Sequence, residues 1–467
     1  MRELSCDVAV IGAGTAGIAA HRAAREAGAR AVLIEAGPGG TTCARVGCMP
    51  SKLLTVAGRA AHDARAAHRF GVRVPEVAVD GPAVLGHLRA ERDRFVRHVF
   101  EGLEEWPADE RLDGQARFLD GETLAVADHT RIRFRAAVIA TGSSPSLPKP
   151  LEGLGPARVL TTDTLFGIAD LPASLAVLGG GPVGIEIAQA MARLGVAVSL
   201  FDVGHELAGL THPALTRAAV EIFGAEIDLH LGTEVMGAEP DGDGVRLSVR
   251  NPDGSQGSVR VERVLAAIGR PPNLEGLALE AAGLRLGEHG LPDFDARSLL
   301  CAGGPVFIAG DANALRPVLH EATRQGRIAG RNAAALAGSG AATAPEPWTA
   351  LAMVFTQPGT ASVGAPYDAQ AEDARVTGAA DFPDQGRARI EQRNRGGLRI
   401  WADRRSVLLG AEMIGPDVEH LAHLLAFAIQ DGATAGRLRD RPYYHPTLEE
   451  GFETALAAIT RGGAGTG

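Results

Sequence analysis

Cys43 and Cys48, with Ala44-Arg-Val-Gly47 between them, are the two residues of this chain most able to do chemistry together. Two thiols at this spacing admit three readings: half of a zinc site, a pair of inert core thiols, or a redox pair that cycles between dithiol and disulfide. No second Cys/His pair lies nearby at zinc-site spacing. In a regular helix, positions five apart are separated by a rise of about 7.5 Å, beyond the roughly 7 Å limit for a disulfide. A bond here therefore needs a distorted turn, which Gly47 and Pro50 can supply. Strained disulfides are the easily reduced ones, and Arg45 and Lys52 are cations that favour a thiolate. The geometry favours the redox pair.

A redox dithiol needs an electron partner, and the glycines supply a candidate. Gly12-Ala-Gly14-Thr-Ala-Gly17 follows the apolar run Cys6 to Ile11 and opens a helical pattern to about Ala27, before a strand from Ala31 to Glu35. The same unit recurs as Leu175-Ala-Val-Leu, then Gly179-Gly-Gly181-Pro-Val-Gly184, a helix to about Leu194, and a strand from Val196 to Asp202. From the last glycine to the terminal acid is 35 − 17 = 18 in one copy and 202 − 184 = 18 in the other. A lone G-x-G-x-x-G is an ordinary glycine turn, but a strand before it, a helix after it and an acid one strand later are the context of a dinucleotide site. Gly12 and Gly179 permit the tight turn, Gly14 and Gly181 let the backbone approach a pyrophosphate, and Gly17 and Gly184 let helix and sheet close up. Each helix N-terminus then faces the phosphates. Glu35 and Asp202 are placed to accept from ribose hydroxyls and to repel a 2′-phosphate. Val203-Gly-His205 follows Asp202 with no Arg, so NAD(H) is expected over NADP(H).

The elements that must position these groups follow from the rest of the chain. Its 467 residues suggest two to four domains. Ser51 to Asp120 reads as long helices followed by strands, and Ala137 to Gly142, Val264 to Gly269 and Val306 to Asp311 as short buried strands ending in turns. Pro145 to Pro156 and Gly338 to Pro347 read as linkers, and the latter leads into a final segment of mixed strand and helix. The net charge of −10 argues against a nucleic-acid partner. No apolar stretch is long enough for a membrane helix and no signal peptide opens the chain. Four cysteines (Cys6, Cys43, Cys48, Cys301) are too few for a secreted disulfide scaffold, so a cytoplasmic enzyme is expected. No metal site is expected.

Gly39-Gly-Thr-Thr-Cys43-Ala-Arg-Val-Gly-Cys48-Met-Pro-Ser-Lys52 resembles the redox motif of the class I pyridine nucleotide-disulfide oxidoreductases, among them dihydrolipoamide dehydrogenase, glutathione reductase and mercuric reductase. The resemblance covers nearly the whole chain. The two glycine fingerprints, Ala140-Thr141-Gly142-Ser143, Ala267-Ile-Gly269-Arg-Pro-Pro-Asn273, Ile308-Ala-Gly-Asp311, Phe355-Thr-Gln-Pro358 and Tyr444-His-Pro-Thr-Leu-Glu-Glu450 match in the family's order. It implies an α/β fold with two Rossmann-like domains, for FAD and NAD, and a C-terminal α+β dimerisation domain. On that reading residues 1–150 begin the FAD domain, 151–272 form the NAD domain, 273–345 return to the first, and 346–467 form the interface domain. Cys43 then looks like the interchange thiol and Cys48 the thiol beside the flavin. Lys52 looks like the lysine near flavin N5, paired with Glu186. Thr42, Thr141, Gly142 and Asp311 would line the FAD site and Gly269 the nucleotide sites. Asp311 is also suited to cap a helix. His320 falls where relatives carry a His near the flavin, and a plain packing role suits it equally. A His before a Pro is more often structural, yet the family makes His445 a general acid/base supplied across a two-fold interface, oriented by Glu450. A homodimer with shared active sites follows.

The match to dihydrolipoamide dehydrogenase implies electron flow from a dithiol through Cys43–Cys48 and FAD to NAD, and a 2-oxo acid dehydrogenase complex as a partner. Three positions depart from that pattern: Ala44-Arg45 replaces a pair often ending in Asn, Tyr443 stands where many such enzymes have His, and Gly359 where an acid often follows. They bear on the sulfur substrate. A segment from Arg461 to Gly467 without a cysteine pair argues against a mercuric or thioredoxin reductase with a C-terminal dithiol. The rivals are an NAD(P)H-dependent reductase of glutathione or a similar small disulfide, a flavin diaphorase or quinone reductase with spectator cysteines, and a flavoprotein with little turnover.

Overall fold

The computed structural model describes residues 1–368 and 374–463, with side chains to residue 460, so residues 464–467 of the tail lacking a cysteine pair lie outside the described residues. The chain divides into two compact units. One comprises Met1–Pro50, Arg89–Ser146 and Gly269–Pro347; the other comprises Ser51–Leu88, Leu147–Ile268 and Trp348–Gly467.

The first unit is built on a five-stranded parallel sheet in the order Val306–Ile308, Ala136–Ile139, Val8–Ile11, Ala31–Glu35, Arg111–Asp113. Its strands are continuous apolar runs because both faces are buried. Along Val8–Ile11, Val8 and Val10 enter one core with Ala31, Leu33, Ala136 and Val138, while Ala9 and Ile11 enter another with Val32, Ile34, Ala137 and Ile139. Helices Thr15–Glu26 and Leu319–Ala337 cover the first face. They approach closely: a Cβ on Gly330 would stand 2.1 Å from the carbonyl oxygen of Ala20. A mixed sheet of Arg2–Ser5, Thr130–Arg133, Thr123–Val126 and Ala116–Asp120 shares the second core through Ile132, Leu124 and Phe118. The opening apolar run is thus shorter than Cys6 to Ile11: Arg2–Ser5 pairs with Thr130–Arg133, and Val8–Ile11 begins the parallel sheet after Asp7, whose carboxylate accepts from the Arg30 N–H.

The second unit repeats the plan. Its parallel sheet runs Asp228–Leu231, Ala197–Asp202, Ser174–Leu178, Arg263–Ala266, Val159–Thr161. Leu175, Val177, Leu200 and Leu265 face a core shared with helix Pro182–Arg193, and Ala176, Leu178, Phe201 and Ala266 face a three-stranded antiparallel sheet. A five-stranded antiparallel sheet (Leu351–Val354, Gly359–Gly364, Leu408–Gly415, Gly397–Asp403, Arg375–Asp381) carries helices Val418–Gln430 and Glu450–Gly463. It is joined to the parallel-sheet half at Glu412, whose buried carboxylate accepts from the Thr211 and His212 N–H groups and the Thr211 hydroxyl at 2.7–3.0 Å. Among the described residues no helix is long and apolar enough to cross a membrane.

Two histidines are held neutral by this packing. His21 is fully buried against Trp106, ring centroids 4.2 Å apart. Burial pushes it down to about 4, opposed by the nearby Ala31 backbone and reinforced by Arg25 and Arg22; Glu110 is 3.5 Å away. His212 accepts the Ala214 N–H on Nδ1 at the start of helix Pro213–Gly224, a role only the unprotonated ring can fill. Burial, then Arg399, Arg375 and Arg217, pushes it down to about 4 as well. An unfolded chain takes up these protons near pH 6.5, the native one near 4, so the unfolded state binds more protons between the two values. Thermal stability is expected to fall as pH drops from about 6.5 toward 4. Differential scanning calorimetry across that window checks it, and His212→Asn, which keeps a neutral acceptor, should flatten part of the slope.

Candidate active site

The cysteine pair sits where the backbone breaks. Thr42–Arg45 is one short helical turn, and Cys48 begins the separate helix Cys48–Ala66. Between them the chain folds back so tightly that a Cβ on Gly47 would stand 3.2 Å from the Cα of Cys43. Thr41, just before, has φ 56° and ψ 144°, a costly backbone for a β-branched residue, and its hydroxyl accepts the Ala44 N–H at 3.2 Å. Cys43, Cys48 and Arg45 are half-buried, Thr42 is exposed, and Arg45 Nε is buried with no partner among the described residues. The other two cysteines are buried, and burial pushes both thiols up to about 12.

The two glycine loops are near copies in geometry. Gly12 and Gly179 have φ +105° and +109°, and Cβ atoms on Gly17 and Gly184 would lie 1.7 and 1.9 Å from the carbonyl oxygens of Gly12 and Gly179. A Cβ on Gly14 or Gly181 would instead meet nothing within 4 Å, so the space in front of both is open. Each acid latches its own loop. Glu35 accepts from Ala13 N at 2.6 Å and Gly37 N at 2.7 Å; Asp202 accepts from Gly180 N at 2.5 Å and Gly204 N at 2.7 Å.

Just past the C-terminal ends of strands Ala136–Ile139 and Val306–Ile308, the Ser143 hydroxyl donates to Asp311 at 2.8 Å, and Arg270 donates to the Ser143 hydroxyl and carbonyl. Asp311 lies inside the turn Gly310–Asn313 and does not cap it; Ala309 holds that position. The Thr141 hydroxyl is buried with no partner among the described residues, Gly142 has φ +71°, Gly269 has φ +121°, and His320 is half-buried in the first turn of Leu319–Ala337.

In the second unit, Lys52 Nζ donates to both Glu186 oxygens at 2.9 Å. Glu186 is buried, and Oε1 also accepts the Phe355 N–H at 2.8 Å. The Phe355 ring lies under the ammonium, centroid 4.7 Å away. Lys52 and Phe355 line a cavity of about 210 Å³ together with Thr356 and Thr360, whose hydroxyls are buried without partners among the described residues. His445 is exposed, and its Nδ1 lies 2.8 Å from Oε1 of Glu450, the first residue of Glu450–Gly463. That bond first, and the Thr447 N–H second, hold the Glu450 carboxyl below the usual range. Sequence reading missed Ser143 as the partner of Asp311 and Phe355 as the partner of Glu186; both stand within recognisable motifs, but their partners lie 168 and 169 residues away.

Residues 6–326 match the family model of the pyridine nucleotide-disulphide oxidoreductases, and residues 351–456 match that family's dimerisation domain. The chain belongs to this family. It is 34% identical to a mercuric reductase of Streptomyces lividans (97% of this chain, 96% of that protein) and 31% identical to a dihydrolipoyl dehydrogenase of Halobacterium salinarum (95% and 94%). Among solved structures, LpdA of Mycobacterium tuberculosis shares the fold at 22% identity and TM-score 0.82, covering 99% of both chains. So does the HOCl-induced flavoprotein disulfide reductase RclA of Escherichia coli, at 22% identity and TM-score 0.81, over 97% of this chain and 99% of that one. The protein is an FAD-dependent pyridine nucleotide-disulfide oxidoreductase, and its match to the family's dimerisation domain supports a homodimer.

The residues present fit these cofactors. The open space at Gly14 and Gly181 is where a pyrophosphate would approach the two helix N-termini, and the orphaned Thr141 hydroxyl awaits a polar partner. Gly181 has φ −67°, a backbone any residue adopts. Gly181→Val should therefore keep the melting temperature within about 1–2 °C while weakening pyridine nucleotide binding by roughly tenfold or more. Calorimetric titration with NADH and a thermal melt of the same sample check it.

Proposed function

We propose that this enzyme is dihydrolipoamide dehydrogenase-like and passes electrons from dihydrolipoamide, or a similar dithiol, to NAD through the Cys43–Cys48 disulfide and FAD. The observation that carries this reading is the His445–Glu450 pair on the dimerisation domain: an exposed imidazole with one nitrogen tied to a carboxylate and the other open. A protein that kept only a flavin fold would have no use for it. The dihydrolipoyl dehydrogenases of Halobacterium salinarum and Geobacillus stearothermophilus, 31% and 30% identical, support the substrate class.

In the oxidising direction, Nε2 of the partner subunit's His445 takes the proton of one substrate thiol, and Glu450 stabilises the resulting imidazolium. The substrate thiolate attacks Sγ of Cys43. The Cys43–Cys48 bond breaks, and Cys48 leaves as a thiolate at the N-terminus of helix Cys48–Ala66, where the helix dipole favours negative charge. The second substrate sulfur, giving up its proton, displaces Cys43, which takes a proton up. The substrate departs as a disulfide, and its two electrons remain on the cysteine pair. Bound FAD supplies the two-electron exchange between that pair and the nicotinamide. Glu35, Thr42, Thr141, Gly142 and Asp311 would hold the flavin nucleotide, Asp202 and the Gly179 loop the NAD, and Lys52 with Glu186 would present a fixed charge pair to the flavin ring. A cytoplasmic location, and association with a 2-oxo acid dehydrogenase complex, follow from the same reading.

Asp202 turns both carboxylate oxygens into its loop, and no Arg follows it. A 2′-phosphate would meet this carboxylate, so NADH is expected to exceed NADPH in kcat/KM by roughly tenfold or more, about 1.4 kcal/mol per factor of ten. Comparable values for the two would remove the NAD assignment.

Cys48→Ser should abolish dithiol oxidation while sparing some NADH-driven reduction of artificial acceptors; full dithiol activity in that variant would reject the relay. The deciding experiment is anaerobic titration of the holoenzyme with dihydrolipoamide, followed by absorbance. A long-wavelength thiolate-to-flavin band, lost as NADH appears on adding NAD⁺, is expected. A band raised by NADH but not by dihydrolipoamide would keep the cysteine relay and point to another sulfur substrate. No band with either reductant would make the cysteines spectators.

A further inference from the structure

Helix Pro182–Arg193 presents Glu186, Gln189 and Arg193 on one face, three and seven residues apart. All three are buried, and all three grip the segment Phe355–Gln357. Glu186 accepts the Phe355 N–H. Gln189 accepts the Gln357 N–H at 2.8 Å and donates to the Gln357 carbonyl at 2.9 Å. Arg193 donates to the same carbonyl at 2.7 Å and to the Gln357 side-chain oxygen at 2.6 Å, while its other N–H groups pair with Glu226 at 2.6 and 2.9 Å. The segment is thereby clamped at its first and third residues, by its backbone, to a single rigid helix.

The helix that carries Lys52 is braced on the same support. A Cβ on Gly58 would stand 2.9 Å from the Ala190 carbonyl oxygen, and Arg65 donates to the Arg193 carbonyl at 2.5 Å. Three elements thus meet at Lys52: its own helix, the helix of Glu186, and the Phe355 segment. The first two pack directly. The third, which supplies both an N–H to Glu186 and the aromatic face to Lys52, is fixed through Gln189 and Arg193.

We propose that Gln189 and Arg193 are positioning residues for the Lys52–Glu186 pair: they lock Phe355–Gln357 so that the Phe355 N–H and ring fix the carboxylate and ammonium. This rests on the reading of Lys52 and Glu186 as the charge pair serving the flavin. Gln189 and Arg193 touch neither cofactor nor substrate on this account and act only through Lys52 and Glu186. Misplacement by about 1 Å can cost on the order of a hundredfold in rate, so loosening the clamp should cost roughly tenfold.

The test is a double-mutant cycle on the dimeric holoenzyme with Gln189→Met and Lys52→Met. Three quantities are read: the rate of flavin reduction by NADH in stopped flow, the flavin midpoint potential, and amide hydrogen exchange at Phe355 and Gln357. In the native background, Gln189→Met is expected to speed exchange at both amides, shift the potential in the same direction as Lys52→Met, and slow reduction roughly tenfold. With Lys52 already Met, Gln189→Met is expected to speed exchange still but to change rate and potential by clearly less than in the native background. Equal effects on rate and potential in both backgrounds would mean a general structural role and overturn the proposal, as would unaltered rate and potential in the native background. If Lys52→Met alone leaves rate and potential unchanged, the reading of the charge pair fails instead. Should Gln189→Met not fold, Gln189→Glu keeps the acceptor for Gln357 N–H and loses the donor. It is held to the same criteria with a smaller effect.

Discussion

Everything at the two glycine loops depends on one close approach: the last glycine of each loop lies against the carbonyl of the first, where even a methyl group would collide at 1.7 or 1.9 Å. That contact forces the strand to turn directly into the helix. It leaves the first-turn N–H groups facing outward over the open space at the middle glycine, and it brings the acid of the next strand within reach of the loop amides. Glu35 and Asp202 then close the loops with bonds of matching pattern, one oxygen to a loop amide 22 residues back and the other to an amide two residues on. A duplicated sequence spacing has become a duplicated hydrogen-bond geometry because the same steric limit operates in both.

What the sequence makes legible follows from how local its cause is. The strands Ala31–Glu35 and Ser174–Leu178 can be read because strands buried on both faces are short continuous apolar runs, and the glycines and acids that end them mark the borders. The break between Cys43 and Cys48 is legible for the same reason: Gly47 sits inside the segment where the two helices part, whereas Pro50 falls in the first turn of the helix Cys48–Ala66, where a proline is tolerated. The initial strand is misread by two residues, since the buried Cys6 reads as part of the apolar run while the backbone at Cys6 and Asp7 passes from one sheet to another.

The remainder depends on partners that no local pattern announces. Glu412 looks like one more strand residue until Thr211 and His212, about two hundred positions away, bring their N–H groups to it. Gln189 and Arg193 look like the polar side of an amphipathic helix. They are instead nearly fully buried, and they supply the partners of the Gln357 carbonyl and amide. Periodicity would place both on a solvated face; only the fold shows that the face is covered.

This difference bears on how the candidate site is held. A lysine–carboxylate pair in water is worth little and wanders. Here Glu186 is buried with Lys52 at both oxygens and a backbone N–H at one, so neither oxygen can reorient without breaking a bond in a region of low polarity. Lys52 keeps about a third of its side chain exposed, so its ammonium is fixed from behind and open in front. His445 shows the same division: Nδ1 is tied back to Glu450, while the rest of the ring projects into solvent. In both pairs a carboxylate does the anchoring and the cation-forming group faces outward. On the proposed reading, that arrangement would suit groups that meet a flavin, a substrate or a second subunit without having to be ordered at the moment of contact.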